Sequence, residues 1–328
     1  MNAAPRSRAH LVERAVEAMG GTRPMTPAAP PPMAPPVAPP ANASMPPAAV
    51  ALAPPPPAPP SSPAPTLAPP AAAHAGPGGF APITVEVLDK AGLVVAPVGT
   101  ARSRLSEEIA VIQHAVLRTL KASRSTDGRN ARIIMVTSAK PGEGKTFISL
   151  NLAASLANSG TRPVVLIDVD GKMFSISRLL GHPDTPGIRM LAAEPGRAPA
   201  PMLVPTAIKR LSLLTYGPLP PEMPGIPPGQ LVTAALLRLA AALPDHLFVL
   251  DTPPCLSTSD PGALAPIAGQ VLVVVEAERT QRNEVEAALD MVESCPTLQL
   301  VLNRAVLTAN DTFGAYGGYD AYANPPGG

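Results

Sequence analysis

Tryptophan is absent from this chain, and its 328 residues include only 5 phenylalanines and 4 tyrosines. Aromatic side chains supply much of the buried area of ordinary cores, so any core here must be built from aliphatic residues. Charge is scarce as well: Asp, Glu, Lys and Arg make up 15% of the chain and the net charge is +1. That balance excludes nucleic acid or an anionic membrane surface as a general electrostatic partner. The 2 cysteines, Cys255 and Cys295, show no paired-ligand spacing. They fit a reducing cytosol and read as small core residues. No stretch reaches the ~18 consecutive apolar residues that would indicate a membrane span. The first residues carry Arg6, Arg8, His10, Glu13 and Arg14 with no apolar run, which excludes a signal peptide.

Proline is the opposite case, with 47 copies. Residues 24–85 contain no Asp, Glu, Lys or Arg and are almost wholly Pro, Ala and other small residues. A stretch of this composition cannot bury enough apolar surface to fold, and it reads as a disordered, semi-rigid spacer. At ~3.1 Å per residue it could extend on the order of 100 Å or more. Ahead of it, residues 10–19 read as a short amphipathic helix ended by Gly20-Gly21, one that either frays or folds on a partner. Four parts result: a short helix over 1–22, a Pro/Ala-rich linker over 23–82, a folded domain over 83–310 and a tail over 311–328.

Within the folded part, residues 83–95 are ambiguous between strand and helix. Leu105, Ile109, Ile112, Val116 and Leu120 share one helical face. Strand-like apolar runs follow at 132–137, 163–168, 211–215, 247–251, 270–276 and 298–303. Helical patterns at 145–158, 173–180, 230–243 and 280–293 separate most of them. Continuous apolar strands alternating with helices predict an α/β fold: a doubly wound, mainly parallel sheet with helices on both faces. Ligands on such sheets sit beyond the carboxyl ends of the strands.

At one of those ends stands Ala139-Lys140-Pro141-Gly142-Glu143-Gly144-Lys145-Thr146, between an apolar strand and a helix. This is a phosphate-binding loop. The glycines let successive backbone N–H groups of Gly142, Glu143, Gly144, Lys145, Thr146 and Phe147 turn toward a polyphosphate, with Pro141 opening the same nucleotide-binding stretch. Lys145 supplies a point charge to the phosphates, and Thr146 supplies a hydroxyl to Mg²⁺. Two other predicted strands end on carboxylates, at Asp168 with Asp170 two residues on, and at Asp251. Asp168 and Asp170, spaced i, i+2, are expected to emerge on the same side beside the phosphates. Asp251 is placed to hold Mg²⁺ as a Walker B aspartate, alongside Thr146 and Asp168. Phosphoryl transfer needs positioning, charge neutralisation and a proton acceptor. Asp168 is the candidate acceptor, and Asp170 could serve as acceptor or metal ligand. Past the last strand the chain becomes glycine-rich and holds three of its tyrosines, Tyr316, Tyr319 and Tyr322.

These motifs together resemble the bacterial tyrosine autokinases (BY-kinases) of capsule and exopolysaccharide export, relatives of the MinD/ParA ATPases. The resemblance runs from Leu105 to Tyr322 and rests on SAKPGEGKT, NLA, VVLIDVDGK, FVLDTPP, VLNR and the tyrosine cluster. LVERA at Leu11 to Ala15 is similar to the start of the exosortase-associated type. The resemblance implies an ATP- and Mg²⁺-dependent P-loop enzyme with Lys145, Asp168 and Asp170 catalytic and Asn303 near adenine. It implies Tyr316, Tyr319 and Tyr322 as acceptors, phosphorylated between neighbouring copies. It also implies a cytoplasmic protein peripheral to the inner membrane, working with a membrane-embedded chain-length regulator supplied as a separate chain and reset by a tyrosine phosphatase. Two departures stand out. The family's ring-forming Glu is followed three and six residues later by Arg, whereas Glu107 here is followed by Ala110 and Gln113. Where the family has Leu-Arg after the second acidic Asp, this chain has Gly171-Lys172. Two further readings remain: a MinD/ParA-like switch without tyrosine transfer, for which Lys140 sits at the signature position, and a catalytically silent export scaffold. Lys140 is read as an ordinary loop residue.

Overall fold

A computed structural model describes residues 79–95, 103–122, 130–160, 162–218 and 228–305. The N-terminal helix, nearly all of the linker and the tyrosine tail lie outside these residues. Among them a seven-stranded sheet forms in the order β3-β4-β2-β5-β1-β6-β7. Its strands are β1 (Asn130–Ser138), β2 (Val164–Asp168), β3 (Val204–Pro205), β4 (Leu211–Leu214), β5 (Leu247–Asp251), β6 (Ala268–Glu276) and β7 (Leu298–Asn303). Every pairing is parallel except that of the two-residue edge strand β3 with β4. This is the doubly wound sheet that the alternating pattern implied.

Period-two alternation divides the aliphatic strand residues between two cores. Ile134 and Val136 of β1 belong to one buried cluster, with Val249 and Val274 from neighbouring strands. Ile133 and Met135 belong to the other, with Phe248 and Val273. The first face is covered by α1 (Val85–Lys90), α2 (Arg104–Ala122) and α3 (Lys145–Asn158). The one-turn α4 (Ile176–Leu179) adds Ile176 to that face, and the second face is covered by α5 (Ile188–Ala193), α6 (Pro228–Ala242), α7 (Asp260–Leu264) and α8 (Arg282–Met291). Helix α3 is buried almost all round, because α2 lies on its outer side and the sheet on its inner. No helix among the described residues is long and apolar enough to cross a membrane.

Three local expectations change. The ambiguous 83–95 stretch makes a single bridge from Ile83 to Thr206, then α1, then a turn at Gly92. The helix expected over 173–180 shrinks to α4, since residues 172–175 form a turn that leaves Met173 and Phe174 76% and 79% exposed. On α2 the buried face is Ser106, Ile109, Gln113 and Val116, while Leu105 is exposed. Gln113 is buried because its side chain pairs with α3: Nε2 donates to Ser155 O (3.0 Å) and Oε1 accepts from Ser155 Oγ (2.9 Å). The second departure position from the ring pattern therefore faces the protein's own interior.

One guanidinium ties the second layer to the sheet. Arg132 donates from Nη1 to Leu243 O (2.8 Å) and His246 O (3.2 Å), and from Nη2 to Ala240 O (2.7 Å). It thereby satisfies carbonyls at the C-terminal end of α6, and it lies 5.7 Å from the Phe248 ring centroid. Arg132→Met is expected to lower stability by about 2 kcal/mol, the size of a hydrogen-bond group on a charged donor. Arg132→Lys should recover little of it, because an ammonium lacks the planar fork. Urea denaturation of the three proteins measures both.

Candidate nucleotide site

The loop between β1 and α3 owes its shape to two glycines in the left-handed region, Gly142 (φ +90°) and Gly144 (φ +95°). A side chain at Gly144 would also be blocked, since its Cβ would lie 2.1 Å from Asn303 Nδ2. That same Nδ2 donates to Glu143 O at 2.9 Å, so the end of β7 holds the loop from one side. Glu143 is buried; its Oε2 accepts from Lys140 N (2.7 Å) and its Oε1 from the Thr280 hydroxyl. Neither Glu143 nor Thr280 has a legible structural role in the sequence. The loop opens onto the N-terminus of a buried helix, an arrangement of amides and dipole that favours a polyphosphate.

Asp251 reaches this loop because residues 252–255 are strapped to the end of β1. Thr252 N and Oγ1 both donate to Val136 O (3.1 and 3.0 Å), Cys255 N donates to Ser138 O (2.7 Å), and Thr137 Oγ1 donates to Pro253 O (2.8 Å). Asp251 pairs in register with Asp168 across β5 and β2, and both are fully buried.

The acidic residues do not share an orientation, contrary to the i, i+2 expectation. Asp168 folds back on its own loop: Oδ1 accepts from Asp170 N (3.0 Å) and Gly171 N (3.2 Å), and Oδ2 from Ser177 N (3.0 Å). Gly171, at φ +60°, continues the same turn, with its N–H on Asp168. Asp170 instead points at the phosphate loop, with Oδ2 2.7 Å from Lys145 Nζ. Lys145 Nζ is also 3.6 Å from Asp251 Oδ1 and donates to Thr146 Oγ1 at 3.3 Å. Asp251 Oδ1 accepts in addition from Ser149 Oγ (3.2 Å). Ser149 was not legible as a site residue, although a polar residue one turn after Lys145, on the loop end of the helix, is a signal that could have found it.

In this protein, then, one lysine is the cation for two buried carboxylates. Two oxygens remain without a hydrogen bond, Asp170 Oδ1 and Asp251 Oδ2, although Lys172 Nζ is 3.8 Å from the former. Buried carboxylate oxygens are expensive to leave unpaired, and this pair fits a divalent cation. Among the described residues no group of three or more His, Cys, Asp or Glu could hold a metal alone. That suits Mg²⁺, which is commonly held by one or two carboxylates together with substrate phosphates. The remaining sequence-predicted residues are placed as follows: Pro141 and Gly142 are exposed on the loop, and the Phe147 ring packs beside Gly92 of the N-terminal segment. Asn151 secures that segment, accepting from Val94 N (2.7 Å) and donating to Gly92 O (2.9 Å). Lys140 pairs with Glu284 at 2.8 Å within its own chain. Tyr316, Tyr319 and Tyr322 lie outside the described residues.

Burial raises the Asp251 carboxyl to about 6; Asp168 and Asp170 push the same way, against Lys145. For Lys145, burial alone would lower the ammonium, but Asp251, Asp170 and Asp168 together hold it above its ordinary value. The folded chain therefore binds a proton at Asp251 more tightly than the unfolded chain does. The resulting stabilisation is complete below the unfolded carboxyl value and is lost as pH rises through about 6. Nucleotide-free wild type should gain stability relative to Asp251→Asn as pH falls from about 7 to about 5. Urea midpoints at the two pH values measure this.

The chain is similar to several known proteins. The tyrosine-protein kinase YwqD of Bacillus subtilis is 26% identical over 215 residues, covering 64% of this chain and 87% of that protein. The tyrosine-protein kinase CpsD of Streptococcus agalactiae is 28% identical over 201 residues, covering 60% and 83%. The tyrosine-protein kinase wzc of Salmonella typhimurium is 32% identical over 161 residues, covering 48% of this chain and 21% of that longer protein. Among solved structures, the kinase domain of Escherichia coli tyrosine kinase ETK aligns with a TM-score of 0.49 at 24% identity, covering 62% of this chain and 75% of that one. The ParA family model, described as NUBPL iron-transfer P-loop NTPase, matches residues 129–315. That match takes in the phosphate loop, all three strand-end carboxylates and more than half of the sequence, and the chain therefore belongs to the ParA family of nucleotide-binding P-loop NTPases.

Proposed function

We propose that the chain is an ATP- and Mg²⁺-dependent protein-tyrosine autokinase that regulates exopolysaccharide or capsule export by phosphorylating its own tail at Tyr316, Tyr319 and Tyr322. The observation that carries this reading is the convergence of Lys145, Asp170 and Asp251 at the mouth of the phosphate loop. Relatives named as tyrosine-protein kinases support tyrosine as the acceptor.

The amides of residues 142–147 and the start of α3 bind the phosphates, and Lys145 turns from the carboxylates to the β- and γ-phosphates. Thr146 and Asp251 would hold Mg²⁺, with Asp170 Oδ1 turned to the same site, and the metal would neutralise charge on the transferring phosphoryl group. Asp168 keeps its three amides and fixes the loop, so the acceptor role passes from Asp168 to Asp170, which Lys145 has released. The tyrosine oxygen bonds to the γ-phosphorus as the bond to the β-phosphate oxygen breaks. ADP leaves, and the phenol proton passes to Asp170. Asn303, on the loop's flank, lies near the base. A membrane-embedded chain-length regulator is the activating partner that brings the protein to the membrane, neighbouring copies exchange phosphate, and a phosphatase resets the tail.

A second reading, an ATPase switch without tyrosine transfer, follows from membership of the ParA family. Incubation of the full chain with ATP and Mg²⁺, with and without the regulator's cytoplasmic segment, separates the two. Mass spectrometry should locate phosphate on Tyr316, Tyr319 and Tyr322, and Lys145→Met should lower its rate by on the order of 10²-fold or more. Hydrolysis of ATP with an unmodified tail selects the switch.

A further inference from the structure

Tyr216 is the one tyrosine among the described residues, and it stands apart from the proposed acceptors. It follows β4 and is half-buried against the turn that carries Asp170. A Cβ on Gly171 would lie 2.2 Å from both Cδ1 and Cε1 of its ring, so the ring occupies the space that a side chain at 171 would need. Arg189 steadies the ring from 4.9 Å and donates from Nη1 to Gly217 O at 3.3 Å. The backbone belongs to the same frame: Tyr216 N donates to Ser177 Oγ (3.1 Å), and Ser177 N donates to Asp168 Oδ2 (3.0 Å). The Asp170–Gly171 turn is thus gripped twice, by the Asp168 carboxylate through its amides and by the Tyr216 ring against its glycine.

We propose that Tyr216 is a positioning residue whose ring sets the Asp170–Gly171 turn, so that the Asp170 carboxylate faces Lys145 and the bound phosphates. It acts through Asp170 and rests on the nucleotide-site reading above. The ring is the working part, and the hydroxyl is dispensable.

Binding of a fluorescent ATP analogue, with and without Mg²⁺, is to be measured for wild type, Tyr216→Ala, Tyr216→Phe and Arg189→Gln, together with kcat and KM. Tyr216→Ala should keep the wild-type affinity for metal-free nucleotide but lose about tenfold of the gain that Mg²⁺ confers. Its kcat should fall on the order of 10- to 100-fold, and its KM for the Mg²⁺ complex should rise by about the same tenfold. Tyr216→Phe should match wild type on every count. A full Mg²⁺ gain in Tyr216→Ala, or a Tyr216→Phe as impaired as Tyr216→Ala, overturns the proposal. If Tyr216→Ala does not fold, Arg189→Gln is the variant to read: the same split at smaller size supports the proposal, and a wild-type profile overturns it. Thermal melts of Gly171→Ala in the wild-type and Tyr216→Ala backgrounds test the contact without activity. The substitution should cost more where the ring is present, and equal costs overturn the proposal. Unequal costs in a wild type that binds no nucleotide count against the site reading and leave the ring–turn contact standing.

Discussion

Lys145 held between Asp170 and Asp251 is the interaction on which the site depends. Its ammonium is 2.7 Å from one carboxylate and 3.6 Å from the other, and all three groups have little access to water. Removing three such charges from water is costly, and mutual attraction offsets it only when the geometry is good. Balance is incomplete here: two carboxylates share one buried cation, Lys172 stands 3.8 Å from Asp170 on the exposed side, and two of their oxygens accept no hydrogen bond. Such an arrangement is poised for a second cation and a polyanion to arrive together, as a metal–nucleotide complex does.

Much of the surrounding fold serves to hold these groups. The strap from Thr252 to Cys255 fixes Asp251 against the end of β1, and Asp168 spends both of its oxygens on the loop that presents Asp170. Asn303 braces the phosphate loop from the end of β7, and Glu143 ties the loop to itself at Lys140 N and to Thr280 beyond β6. Asn151 fastens the segment that follows the proline-rich region onto α3, next to Phe147.

Legibility followed the strength of the hydrophobic pattern. Strands β5 and β7 and helix α3 appear with the bounds that their apolar runs implied; for β5 the reason is that a strand buried on both faces admits no polar interruption. The two-residue strand β3 and the short helices α5 and α7 carry no period of their own and are set by tertiary contacts. Gln113 broke the reading of α2, since its burial depends on Ser155 across the helix pair. At the site, the residue types and their strand-end positions were readable from the motifs. The division of labour between Asp168 and Asp170 was not, because it depends on the turn at Gly171 and on amides nine residues away. Ser149 and Tyr216 escaped for the same reason: each works through a neighbour brought close only by folding.

Lys145 neutralises the carboxylates that would hold the metal until nucleotide draws it away. Titration of the nucleotide-free protein with Mn²⁺, followed by electron paramagnetic resonance, tests this most directly. Wild type should show no saturable site, and Lys145→Ala should bind one Mn²⁺ that Asp251→Asn then abolishes. Equal Mn²⁺ binding by wild type and Lys145→Ala, or none by either, would contradict it.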